Sequence, residues 1–183
     1  MSWKWSHATN SLQKVTQAVE DLTISAIESD VIVGTAIEYG KNYPETPILA
    51  HPPNTQSDIS VATLIYLLGK KEKGGQISLR KHLKLDFKET GAVGPSLELL
   101  KLSNITNPLG KRIYLNADIL PGPGKRDDNF VPVSVDTFMS CCMNHIHSRK
   151  VRTTIEPERY RMAQPHHFSC ENVRTSMSFI LCL

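Results

Sequence analysis

Four short apolar segments carry residues that could do chemistry: His7 in WKWSH, Glu28 and Asp30 in AIESDVIV, Asp86 and Lys88 in HLKLDFK, and Asn116 and Asp118 in IYLNADIL. Where such residues come in pairs they stand at alternate positions, which puts both side chains on one face of a β-strand. An ionised group turned into an apolar layer is costly unless an opposite charge or a metal ion compensates it. One such pair could be an accident. Four segments in series, each followed by a helix-like stretch, point to one polar site built from strand ends.

The elements that must position these residues alternate along the chain. Residues 3–7 read as a strand, and SLQKVTQAVEDL then sets Leu12, Val15, Val19 and Leu22 at helical spacing, with Asn10 or Ser11 as N-cap. Residues 24–33 are β-rich. GKNYPET reads as a turn by its Gly, Asn and Pro content, and PILAH as a short extended return. Ser57 and Asp58 are expected to cap a helix running to Leu68. After the GKKEKGG loop come a strand over 83–88 and a helix opened by Pro95 and Ser96, with Leu97, Leu100 and Ile105 on its buried side. IYLNADIL is the next strand and stops at LPGPGKRDD. Val135, Phe138, Met139 and Cys142 mark a fourth helix. Repeated strand–helix units with near-continuous apolar strands imply an α/β fold with a parallel sheet covered by helices, in which functional groups gather at the carboxyl ends of the strands.

Composition sets outer bounds. The chain has 183 residues, 40% hydrophobic and 21% charged, as expected of ordinary globular material. A net charge of +3 without basic runs interleaved with aromatics argues against nucleic acid. The longest strongly apolar run, VATLIYLL, is far short of the ~20 residues that span a bilayer. The start MSWKWSHATN has no secretory pattern, so the chain as written is expected inside the cell. Cys141, Cys142, Cys170 and Cys182 show no C-x-x-C spacing and read as reduced thiols. Asn104 begins an N-x-T sequon that matters only on secretion. LPGPGKR lacks the spacing of a phosphate loop and reads as a turn. His145, His147, His166 and His167 have no regular ligand spacing.

Taken in order, W-x-H-A-x-N at 5–10, E-x-D at 28–30, A-H-P-P-x-T-x-S-D at 50–58, K-L-D-F-K at 84–88 and N-A-D-I-L-P-G-P at 116–123 resemble the menorin family. That family is similar to the glycerophosphodiester phosphodiesterase-like (β/α)8 barrels, which include spider sphingomyelinase D. The resemblance covers about residues 3–145 and implies a TIM-type barrel of the phospholipase C-like phosphodiesterase class. It further implies that Glu28, Asp30 and Asp86 hold Mg²⁺ or Ca²⁺, hard cations that prefer oxygen ligands. His7 and His51 match the family's two histidines, a natural acid–base pair for splitting a phosphodiester. Lys88 would set a point charge beside the phosphate. Asn10, Asn116 and Asp118 would orient substrate or ligands. The implied substrates are glycerophosphodiesters or lysophospholipid-like headgroups.

The phosphodiesterases follow their first histidine with Arg-Gly, where this chain has Ala8 and Thr9, and their second with Asp, where it has Pro52. The alternative function is therefore a non-catalytic binding protein on the same scaffold, extracellular in longer family members. Plainer readings are a same-face salt-bridge ladder of Asp86 with Lys84 and Lys88, histidines that only hydrogen-bond at strand ends, and Asp58 as a helix cap.

A complete barrel needs ~250 residues and eight strands. About four strand–helix units fit before residue 145, so the barrel is expected to be incomplete, with open edges that favour self-association. From about Ile146 the sequence shows no sustained period. Residues 146–183 are expected to be a divergent tail, disordered or produced by alternative splicing or a frame change.

Overall fold

The structure, a computed structural model, describes residues 3–71, 77–103, 105–106, 112–120, 131–148 and 177–182. The chain opens with β1 (Trp5–Ser6), α1 (Leu12–Glu20), β2 (Ala26–Glu38), β3 (Lys41–Leu49), β4 (Gln56–Ser57) and α2 (Val61–Leu68). Then come β5 (Gly69–Lys71), β6 (Ile77–Leu79), β7 (His82–Phe87), a 3-10 turn at Thr90–Ala92 and α3 (Val93–Leu102). The last elements are β8 (Ile105–Thr106), β9 (Ile113–Leu120), α4 (Val135–Ser148) and β10 (Met177–Cys182).

The frame is a mixed α/β fold around a parallel sheet in the order β1, β2, β7, β9, each strand leading through a helix to the next. Residue alternation gives that sheet two unlike faces. Ile27, Val31, Leu83, Leu85, Phe87, Leu115 and Ala117 lie on one face and join a single core with Val15, Leu64, Leu68, Leu97, Leu100, Phe138 and Cys142 of the helices. The other face carries the polar pairs. Trp5 and Tyr114 stand on β1 and β9 yet their rings lie 6.0 Å apart. Strands ~4.8 Å apart would hold them ~14 Å apart across β2 and β7 if the sheet were flat with upright side chains. The sheet is therefore concave on its polar face, with Trp3 stacked on His82 at 3.9 Å as part of the same aromatic floor.

Local chemistry explains most element ends. Ser11 caps α1, its hydroxyl accepting from the Lys14 N–H. The helix stops at Glu20, where Asp21 accepts from the hydroxyl and N–H of Thr23. Those bonds hold the Asp21 carboxyl below its usual range. Leu22 thus falls beyond the helix and is 95% exposed, off the buried face its spacing suggested. Ser60, rather than Ser57 or Asp58, caps α2. Asp58 instead accepts from the Leu12 N–H at 3.0 Å and so ties α2's approach to the first turn of α1. α3 begins at Val93, two residues before Pro95, and Ile105 belongs to β8.

GKNYPET is not a turn. It is most of β3, which runs antiparallel to β2. The turn is Tyr39–Gly40, both at positive φ (53° and 73°), the two-residue hairpin geometry that matches strand twist. The ladder shifts register opposite Pro44 and Glu45, where a missing N–H does least harm. Gly34 lies where β2 meets the 54–57 segment: a Cβ there would come 2.5 Å from the Thr55 carbonyl oxygen.

Residues 177–182, within the stretch that shows no period in the sequence, pair antiparallel with β9 as β10, so the edge of β9 expected to be open is covered. Among the described residues, β1 pairs only with β2. Cys141 and Cys142 are free thiols; burial, and then Cys141 beside it, push the Cys142 thiol up to about 12. No described helix is long and apolar enough to cross a membrane. Asn104, the LPGPGKR segment, His166, His167 and Cys170 lie outside the described residues.

Lys81 is buried, and its ammonium donates to the carbonyls of Asp21 and Ile24 at 2.7 and 2.8 Å, closing the approach to β2. Two substitutions test this frame. Lys81→Met strands those carbonyls and is expected to cost about 1–3 kcal/mol. Gly34→Ala overpacks the Thr55 contact and should cost about 1–3 kcal/mol. Urea unfolding measures both; an unchanged midpoint for either would mean the contact is not made in solution.

Candidate functional site

Parallel pairing sets the polar residues in rows across the concave face. Asp30 lies beside Asp86, and Asp86 beside Asn116; one step toward the strand starts, Glu28 lies beside Lys84, and Lys84 beside Tyr114. The row registers bring one carboxylate oxygen each from Glu28, Asp30 and Asp86 within 4.8 Å of one another. All three residues are buried, at 8, 6 and 6% exposure.

Each carboxylate is held by a different element. Oε2 of Glu28 accepts from the Ala8 N–H at 2.9 Å and from His7 Nδ1 at 3.3 Å. Ala8 sits at φ 47°, a left-handed conformation that alanine rarely adopts and that here turns its N–H onto Glu28. Asn10 grips Asp30 twice: its amide nitrogen donates to Oδ2 at 2.7 Å, and its oxygen accepts from the Asp30 N–H at 3.0 Å. Asn116 donates to Oδ1 of Asp86 at 2.7 Å.

Two lysines lie among the acids. Lys88 Nζ is 3.3 Å from Asp30, 3.3 Å from Asp86 and 3.4 Å from Asp118. Lys84 Nζ is 3.5 Å from Asp86 and 3.9 Å from Glu28. Burial by itself would push the Lys88 ammonium down, but Asp86, Asp118 and Asp30 more than offset it and hold its titration above the ordinary lysine value. The salt-bridge ladder of Lys84, Asp86 and Lys88 therefore exists, yet it does not balance. Among the described residues, the three clustered carboxylates of Glu28, Asp30 and Asp86 face the two ammonium groups of Lys84 and Lys88, leaving one negative charge in excess.

The histidines differ. His7 donates Nδ1–H to a carboxylate, which can only accept, so in the neutral ring the lone pair is on Nε2. Its side chain is 72% exposed, leaving Nε2 within reach of a ligand. His51 is exposed and donates Nδ1–H to the Pro52 carbonyl at 2.7 Å, which likewise leaves Nε2 as the basic nitrogen. The structure gathers His7, Asn10, Glu28, Asp30, Asp86, Lys88, Asn116 and Asp118 into one network. His51 it leaves on a separate bond, although Ala50 beside it donates its N–H to the Asp30 carbonyl.

Oδ1 of Asn116, in a residue 1% exposed, has no hydrogen-bond partner among the described residues. A buried acceptor left unpaired is costly. Together with the excess negative charge and all-oxygen donors, it fits a hard divalent cation, with Glu28, Asp30 and Asp86 as the residues that would hold it. Two members of the network were not singled out as site residues from sequence. The Ala8 N–H is a backbone donor and leaves no mark on residue type. Lys84 was visible only as part of a ladder.

Compared with known proteins, residues 1–158 match the family model described as the menorin N-terminal domain, thirteen residues beyond the expected boundary at 145. Protein FAM151B of Homo sapiens is 36% identical over 119 residues, which is 65% of this chain and 38% of that protein. The chain thus spans less than two fifths of that relative's length. No solved structure matches.

The charge network makes a quantitative prediction. With chelator present, Lys88→Met removes the positive charge that Asp30, Asp86 and Asp118 share and should cost about 3–5 kcal/mol, as for one partner removed from a buried pair. Lys84→Met, whose contacts are longer and wetter, should cost about 1 kcal/mol or less. Equal losses in urea unfolding would refute Lys88 as the principal counter-charge.

Proposed function

Because the chain belongs to the menorin family, we propose that its concave cluster binds a divalent cation, Mg²⁺ or Ca²⁺, and with it a phosphodiester, as a site of the glycerophosphodiester phosphodiesterase kind. The observation that carries this reading is the charge excess of the buried carboxylates. The parallel order β1, β2, β7, β9 and the curl of the sheet support a (β/α) barrel as the frame, with the cluster at the carboxyl ends of its strands. Substrates would be glycerophosphodiesters or lysophospholipid-like headgroups.

When bound, the cation would polarise a phosphoryl oxygen and offset charge developing on it. The chain's own groups do the rest. Lys88 stays protonated and lends positive charge at the site. Nε2 of His7 takes or gives a proton on one side of the phosphorus, with Glu28 fixing the ring. His51 is the candidate for the opposite side, its Nε2 basic by virtue of the Pro52 bond. Asn10 and Asn116 fix Asp30 and Asp86, and the aromatic floor of Trp5 and Tyr114 limits water from below.

A second reading, binding without turnover, draws support from His51, whose recorded bond lies outside the network, and from Ala8 and Thr9 standing where the phosphodiesterases carry Arg-Gly.

Thermal unfolding with and without millimolar Mg²⁺ or Ca²⁺ tests the cation. At ~100 times the dissociation constant a ligand of the native state adds ~2.7 kcal/mol, which is about 5–10 °C for a chain of this size. Asp86→Asn should abolish the shift. A midpoint that ignores both ions would remove the metal reading. Turnover is tested by glycerophosphodiester hydrolysis: loss of rate in the His7→Ala, His51→Ala double variant is expected, and a cation-dependent thermal shift without product would favour binding alone.

A further inference from the structure

β2 runs past its parallel partners β1 and β7, with the two-residue β4 beside it at Thr35 and Ala36. Its pairing with β1 ends at Ile27 and with β7 at Val31, whereas β2 itself continues to Glu38 and returns as β3. The β2–β3 hairpin therefore projects from the carboxyl end of the sheet, the end that bears the carboxylate cluster. At its tip Tyr39 is 85% exposed and held at φ 53°, followed by Gly40. A bulky aromatic is a poor choice for the first position of such a turn, where Asn is ordinary.

Apolar surface flanks the tip on both faces of the ribbon. Opposed residues in an antiparallel ladder share a face, so Tyr43, opposite Ala36, and Ile37, opposite Asn42, lie on different faces. Both are more than two fifths exposed, as is Leu12 in the first turn of α1, which with Ile37 and Tyr39 lines a crevice of about 110 Å³. Of the neighbouring acids, Glu38 accepts from the Ser60 N–H and Asp58 from the Leu12 N–H, while Asp58 and Glu45 are both exposed. Lys41, beside the tip, is exposed.

We infer that this hairpin is the element by which the protein docks on a phospholipid surface, so that the cluster draws its phosphodiester from lipid headgroups. The substrate half of this statement rests on the reading of the cluster given above. A groove in a protein partner would cover one face of a ribbon. A lipid interface buries the tip and both faces at once, suits the amphipathic ring of tyrosine, and accepts a lysine beside it. Continuity with the cluster at the same end of the sheet sets the orientation.

The test is co-sedimentation of the full chain with phosphatidylcholine vesicles, with and without phosphatidylserine. The wild type should sediment with both kinds of vesicle, because the contact is apolar and Lys41 is matched by the exposed Asp58 and Glu45. Tyr39→Asn should weaken sedimentation about tenfold, the loss of one buried aromatic side chain. Its thermal midpoint should be unchanged or higher, because Asn suits the backbone better, so a folding defect cannot account for the loss. A wild type that stays in the supernatant, or a Tyr39→Asn variant that sediments equally, overturns docking. Failure of the cluster reading shows separately, as a missing cation-dependent thermal shift.

Discussion

Burying carboxylates on the concave side of a parallel sheet requires opposite charge close by, and most of the polar architecture answers that requirement. Lys88 reaches Asp30, Asp86 and Asp118 from the strand between them, and Lys84 reaches Asp86 and Glu28 one row below. Removing water from these groups raises the cost of every unpaired charge and the value of every paired one. The remaining lone pairs are then assigned one by one: Asn10 to Asp30, Asn116 to Asp86, His7 and the Ala8 N–H to Glu28.

The loop between β1 and α1 makes that assignment rigid. Thr9 is fully buried, bonds Ser6 through its hydroxyl, and exchanges backbone bonds with β2 through Glu28 and the Ser29 hydroxyl. Lys14 closes on the Ala8 carbonyl from the first turns of α1. With both ends tied, the left-handed Ala8 costs conformational energy that the surrounding bonds hold in place. The gain is a donor that does not move. Strain of this kind accompanies the Ala8 N–H on Glu28, and a loop serving only to connect β1 to α1 would not need it.

Much of this was legible in the sequence because alternation carries it. The pairs in AIESDVIV, HLKLDFK and IYLNADIL have the period of strands, and each pair does share a face. What sequence could not weigh is pairing between distant segments. Pro44 and Glu45 look like a turn, and only the ladder with β2, which bulges there, makes them strand. Ser57 and Asp58 look like caps, and the chain's path sends Asp58 to α1 instead. β10 is a short apolar run in a stretch without period, and it becomes a strand by adding to β9. For the site, residue types pointed to the carboxylates and His7, while the Ala8 N–H was invisible because a backbone donor has no letter of its own.

The choice between a structural ladder and a ligand site turns on charge balance. A ladder that exists for stability tends toward neutrality, since each uncompensated charge on a half-dry face works against folding. Here two lysines face the three clustered carboxylates, and among the described residues a buried amide oxygen on Asn116 is left over as well. Both departures have the same sign: they are surplus acceptors. Surplus acceptors on converging strand ends call for further positive charge with no acceptors of its own; Lys84 and Lys88 already supply what the sheet has here, and a hard cation meets the rest of the description. The same sheet places its apolar face against the helices, where the core forms on the side away from the carboxylates. The charged face is therefore free to be arranged for a ligand, and the asymmetry between the two sides of β2, β7 and β9 is the physical reason to regard the cluster as a site.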